Sequence, residues 1–287
     1  MERLVLQDQK EQKLVMDTPP MRPAPNWSAC EVGKGVKLLE ETIKAFEKVG
    51  FNPVEEDDLI KRSENGDAEA QCELGVLYED GFGVVKNRKE AFKWFAKSAE
   101  QGNAKAQYRL GMIYWGADLL PDDTKERSDV VAHCHIEAVK WFTESAKQGN
   151  ARGQCCLGAC YAIGKGVGID PTESVRWWTK AAEQGDAIAQ FELGKCYESG
   201  IGVSKDVKEA VKWWTKAAEQ GNPSAQFRVG VCYYKGLGVT ENISIARKWL
   251  FKSSNAGHRP ARVVVESIFK QQFEDEDIAR LTPDKKG

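Results

Sequence analysis

The chain has 287 residues, 41% hydrophobic and 29% charged, enough for one large domain or two small ones. Its 41 Lys and Arg nearly balance 43 Asp and Glu, for a net charge of -2. That removes any global electrostatic reason to bind nucleic acid or an acidic membrane. No apolar run reaches the roughly 18 residues of a membrane span, so membrane insertion is not expected. The charged start MERLVLQDQKEQKLV does not read as a secretory signal, and a cytoplasmic location is the expectation.

Residues 1–33 carry Pro19, Pro20, Pro23 and Pro25 with little periodicity and read as a flexible Pro-rich N-terminal arm. Trp27 within it is either an anchor for that arm or a partly exposed residue without a role. Residues 34–66 read as an N-terminal helical cap. Val36, Leu39, Ile43 and Phe46 suit one helix face, Phe51 and Pro53 interrupt, and 57–65 close a second helix at Gly66.

From 67 to 257 the sequence repeats. Trp94, Trp141, Trp177, Trp213 and Trp249 are separated by 47, 36, 36 and 36 residues, and Gly102, Gly149, Gly185, Gly221 and Gly257 by the same steps. Gln71, Gln107, Gln154, Gln190 and Gln226 keep the same period. Five units follow: 67–102, 103–149 with an insertion at 117–135, 150–185, 186–221 and 222–257. In the fourth, a first helix A at 187–198 places Ala189, Leu193, Cys196 and Tyr197 on one face. Gly200 and Gly202 then stop the helix. A second helix B from about 207 to 220 turns Ala210, Trp213, Trp214, Ala217 and Ala218 inward. Asn103, Asn150, Asp186 and Asn222 are N-caps for the helix after each closing glycine. Gly75, Gly111, Gly158, Gly194 and Gly230 lie inside helix A, where glycine costs about 1 kcal/mol relative to Ala, so close helix–helix contact is expected there. Residues 258–287 read as a C-terminal capping helix, over 260–273, and a charged tail.

The recurring pattern A-x-A-Q-F-x-L-G-x-x-Y-x-x-G-x-G-V…E-A-x-K-W-x-x-K-A-A-x-x-G, with Gly200, Gly202, Val203, Glu209, Ala210, Lys212 and Trp213 standing in full, resembles Sel1-like repeats, relatives of the tetratricopeptide helix pair. The resemblance spans 67–257. It implies an all-α fold: an α-solenoid of antiparallel helix pairs in a right-handed superhelix, with five Sel1-like repeats and helical caps. It also implies a non-enzymatic scaffold or adaptor that binds a peptide or partner protein in its concave groove. Some cysteine-rich, Hcp-like members are penicillin-binding or weakly hydrolytic, which supplies an alternative reading, but their recurring cysteine pairs do not occur here.

Little else points to chemistry. Cys160, Cys196 and Cys232 share a repeat position with Leu77 and Ile113, so they read as small core residues and reduced thiols. Cys155, Cys156 and Cys160 make a weak metal cluster for the same reason. The insertion contains Asp122, Asp123, His133, Cys134 and His135. His-Cys-His has zinc donor types and would suit a metal-dependent regulator, but no further ligands are named and a solvated loop is the expectation. The Gly-x-Gly turns lack the continuation of a phosphate loop. No catalytic residue, metal site or cofactor is expected.

A partner would be read by positions that vary while their neighbours repeat. In helix A these are Glu73, Arg109, Cys156, Glu192 and Arg228; then Val76, Met112, Ala159, Lys195 and Val231; then Glu79, Trp115, Ala162, Glu198 and Tyr234. They fall at i, i+3 and i+6 and share one face. By resemblance that face lines the groove. The candidate protein-binding residues are Glu73, Arg109, Met112, Trp115, Glu192, Lys195, Glu198, Arg228 and Tyr234. The competing reading is a solvated helix face.

Overall fold

The computed structural model describes residues 53–116 and 127–269. The arm, Trp27, the helix expected at 34–49, Asp122, Asp123 and the charged tail lie outside the described residues. The chain divides into two compact units, 1–56 and 57–287, and the repeats lie in the second.

Every described element is helical. They are α1 (Pro53–Glu64), α2 (Ala68–Asp80), α3 (Arg88–Glu100), α4 (Ala104–Trp115), α5 (Arg127–Lys147), α6 (Ala151–Ile163), α7 (Pro171–Glu183), α8 (Ala187–Ser199), α9 (Val207–Glu219), α10 (Pro223–Lys235), α11 (Ile243–Asn255) and α12 (Arg259–Val264), which runs into a π turn at Val265–Phe269. Helices A are α2, α4, α6, α8 and α10, and helices B are α3, α5, α7, α9 and α11.

Local chemistry sets the ends. Asp67, Asn103, Asn150, Asp186 and Asn222 cap helices A, each side-chain oxygen accepting from a backbone N–H two or three residues on. Asn87, Asp170, Asp206 and Asn242 do the same for helices B. Each cap contributes about 1 kcal/mol relative to Ala. The first glycine of each regular A–B turn is left-handed, as at Gly200 with φ 76°.

The glycines inside helices A are contact points, as expected. A Cβ at Gly75, Gly111, Gly158 or Gly230 would lie within 2.7 Å of Phe95, Phe142, Trp178 or Leu250, and one at Gly194 would overlap the Trp214 ring. The same register therefore holds a bulky helix B side chain in every repeat. Trp178 and Trp214 also donate their indole N–H to the carbonyls of Cys155 and Phe191, each at 3.1 Å. The inward stripe of α9 is Ala210, Val211, Trp214, Ala217 and Ala218. Trp213 meets the expectation in part, packing against the core of the preceding repeat. It is half-buried, and Lys216 lies 4.0 Å from its ring centre. Lys97, Lys180 and Lys252 sit likewise over Trp94, Trp177 and Trp249, so each of these tryptophans carries a lysine on its outer side while packing inward, Trp177 being itself buried and Trp213 and Trp249 lying against core clusters.

The repeating glutamines link the stack. Gln71, Gln107, Gln154, Gln190 and Gln226 are buried. Each donates Nε2 to a carbonyl at the end of the preceding helix: Ser63, Ala99, Ala146, Ala182 and Ala218. In the first four repeats the Oε1 accepts from Gln101, Gln148, Gln184 or Gln220. Ala256 stands at that position in the fifth, and the Gln226 Oε1 has no hydrogen-bond partner among the described residues.

The insertion is not a loop throughout. Residues 127–135 are helical and make α5 21 residues long, against 13 in the other helices B. His135 is buried, not solvated. It occupies the register of Pro171 and Val207, and the second glycine of the next A–B turn approaches its carbonyl: Gly166 against His135, as Gly202 against Pro171 and Gly238 against Val207. Extra length at this end extends the helix without disturbing that contact. Of the stretch expected as a C-terminal capping helix, the described part is helical as α12 and its π turn. There Glu266 takes the register of the interior glycine, so the close approach of the other helices A is unavailable to it.

Candidate protein-binding groove

Helices A place the candidate residues side by side, but most of the charged ones are already paired. Arg109 on α4 reaches back to Glu79 on α2 at 2.8 Å. Arg228 on α10 repeats this with Glu198 on α8, at 3.1 and 3.2 Å to its two oxygens. Each pair joins the first varying column of one repeat to the third column of the repeat before. Lys195 pairs with Glu192 within α8 at 2.7 Å. These are half-exposed bridges, and such pairs contribute about 0–1 kcal/mol. They neutralise the face at both ends of the stack. Glu73 is exposed and lines a depression with Leu59, Cys72, Val76 and Lys105, where Lys105 is bound to Glu69 at 2.7 Å.

The middle of the face is different. Met112 is 40% exposed. Its sulfur lies 3.9 Å from the Cys156 Sγ on the next helix A. Burial pushes the Cys156 thiol up to about 12, so it is a neutral, apolar surface at physiological pH. Ala159 and Ala162 continue the patch on α6. Trp115 closes it, half-buried against His135 and Phe142 with ring centres 5.1 and 6.3 Å away. The Lys165 ammonium sits 5.5 Å from its ring centre. Tyr234 lies apart, at the far end, in a 260 Å3 pocket with Phe227, Arg228, Val231, Leu250 and Val264. The nine candidates therefore form two charged zones, an apolar centre and a separate aromatic pocket.

The columns alone could not reveal the ion pairs, because Arg109 and Glu79 are 30 residues apart. The identical spacing of Arg228 from Glu198 was the signal. Lys165 and His135 were missed as neighbours of Trp115, since the insertion breaks the count. Cys160, Cys196 and Cys232 are buried, as expected of core thiols, and so are Cys72 and Cys155; burial raises Cys72, Cys196 and Cys232 to about 11 and Cys160 to about 12, and raises Cys155 further. Among the described residues no three His, Cys, Asp or Glu side chains converge to hold a metal ion. No described helix is long and apolar enough to cross a membrane.

The Sel1 repeat family model matches 68–103, 104–125, 135–150, 151–186, 187–222 and 223–258, its second unit split by the insertion. Comparison with curated proteins finds no match. Among solved structures, c5321, a protective antigen present in uropathogenic Escherichia coli strains displaying an SLR fold, is 36% identical with a TM-score of 0.64. The match covers 74% of this chain and 43% of that one, so this chain spans less than half the length of that relative. A Sel1 repeat protein from Oxalobacter formigenes is 32% identical with a TM-score of 0.62, covering 71% of this chain and 78% of that one. Five tandem helix pairs, glycine contacts in register and matches of this extent make the chain a member of the Sel1 repeat family, whose proteins are generally protein-interaction scaffolds.

Proposed function

We propose that this protein is a non-enzymatic scaffold that holds a peptide or helix of a partner protein on the face formed by helices A. The apolar centre is the anchor: Met112, Cys156 and Trp115, flanked by the Arg109–Glu79 and Arg228–Glu198 pairs. The exposed Met112 beside Trp115 carries this reading. A thioether adapts to different apolar surfaces, and aromatic residues dominate binding energies at interfaces. The paired charges at either side set register more than affinity. The 67–257 repeat boundaries and a cytoplasmic location belong to the same proposal, which the role of the cysteines as neutral core residues supports.

Pull-down from the native source with wild type, Met112→Glu and the double variant Trp115→Ala, Tyr234→Ala tests it. Loss of the same partners in both variants is the expected result. Met112→Glu is a surface change and leaves the fold intact, so equal recovery of partners with that variant contradicts the groove assignment.

A further inference from the structure

The outer helices B carry a second regularity, and repeat 5 breaks it. In repeats 1 to 4 an acid and a base three residues apart pair on the helix surface: Glu90 with Lys93, Glu137 with Lys140, Glu173 with Arg176 and Glu209 with Lys212, at 2.6 to 3.3 Å. In α11 the same two positions hold Ile245 and Lys248. Lys248 is exposed and makes no ion pair among the described residues. A second acid, Glu100, Glu183 or Glu219 in repeats 1, 3 and 4, is replaced by Asn255. Repeat 4 thus holds five Lys and Arg against six Asp and Glu, whereas repeat 5 holds five against a single Glu. Lys252 lies over Trp249, its ammonium 4.7 Å from the ring centre, which orients the cation without neutralising it.

Residues 245, 248, 249 and 252 follow helical spacing and form one stripe. Lys248 lacks the acid that its counterparts pair with, and Lys252, over its indole like Lys97, Lys180 and Lys216, lacks the acid that follows those lysines three residues on, while the half-buried Ile245 stands beside Lys248. Self-neutralised pairs offer an incoming charge little, because each is already satisfied. Two exposed lysines with no ion pair among the described residues, beside half-buried apolar side chains, favour carboxylates from elsewhere.

We propose that this face of α11 docks an acidic segment of a partner protein, with an apolar side chain of that segment covering Ile245 and its carboxylates meeting Lys248 and Lys252. This surface is separate from the face of helices A, so the two assignments stand or fall independently.

Fluorescence anisotropy on the full chain tests it. The probes are a labelled peptide of about 15 residues alternating Asp and Glu with Leu and Phe, and a counterpart with Lys at every acidic position. The acidic peptide is expected to bind and the basic one not. Raising salt from roughly 0.05 to 0.3 M should weaken binding about tenfold. The double variant Lys248→Glu, Lys252→Glu should weaken it by about tenfold or more. Lys212→Glu, at a paired position in repeat 4, should change it less than about twofold. All three are surface changes, and unchanged helical circular dichroism verifies their folds. Equal binding of both peptides, or binding indifferent to the double variant, overturns the proposal. So does acidic-peptide binding that requires removal of 270–287, because the occupant would then be the chain's own Glu274–Asp277 run.

Discussion

Repeats 4 and 5 adopt the same helix–turn–helix but are held by different chemistry. In repeat 4 the side chain over the interior glycine is Trp214, fully buried and hydrogen-bonded to Phe191. In repeat 5 it is Leu250, equally buried with no polar handle. Gln190 is satisfied at both ends in repeat 4, whereas Gln226 is satisfied at one. The helix after repeat 4 is capped by Asn222, and the helix after repeat 5 by His258 through its Nδ1, at 3.3 Å from the Ala261 nitrogen. The backbone template therefore survives the loss of one side-chain interaction after another. What changes along the stack is how firmly the two helices of each pair are tied to one another.

Converting one repeat into the other measures each difference. Trp214→Leu should have the largest effect, a loss of about 2–3 kcal/mol in chemical unfolding, from the cavity and the lost indole hydrogen bond. An effect under about 0.5 kcal/mol would mean the tryptophan is no stronger a tie than leucine. Gln220→Ala creates in repeat 4 the orphaned Oε1 of repeat 5 and should cost about 1–2 kcal/mol. The reverse change, Ala256→Gln, should stabilise by about 0.5–1 kcal/mol, because the backbone at Ala256 (φ -78°, ψ 9°) nearly matches that at Gln220 (φ -79°, ψ 3°) and a missing hydrogen bond is restored.

His258→Asn should change stability least at neutral pH, within about 1 kcal/mol. Its main effect is on pH dependence. Burial lowers the His258 pKa below its ordinary 6.5, and the ring packs on Phe227 with centres 5.0 Å apart. The neutral ring is the form that accepts the Ala261 N–H. The unfolded chain takes up the proton first, so the stabilising contribution is complete above pH 6.5 and is lost as pH falls through the folded value. Unfolding of wild type and His258→Asn across that window should show a slope in the first that is absent in the second.

The period carried most of the fold into view. Tryptophan, glycine and glutamine in fixed steps gave helix pairs, their caps and the close contacts at Gly75, Gly111, Gly158, Gly194 and Gly230. It was weaker on burial. Trp213 and Trp214 are neighbours of one type, and only packing decides that the second fills the core while the first lies under Lys216. His135 was hidden by the insertion, although counting six residues back from Trp141 aligns it with Pro171 and Val207. The candidate face was legible as a set of varying columns, not as an arrangement. Whether Arg109 is free or held by Glu79 depends on the offset between successive helices A, which spacing within one helix does not contain.

The central claim is that a helix pair folds because it leans on its neighbours: its glycine contact closes the pair, its glutamine ties it to the helix before, and the apolar faces left over are covered only by adjacent pairs. Thermal melting of an excised repeat 4, residues 186–221, followed by circular dichroism beside the full chain, tests that most directly. The account predicts a weakly helical fragment without a cooperative transition and a helical, cooperatively melting full chain. A fragment that melts cooperatively from a fully helical state would contradict it.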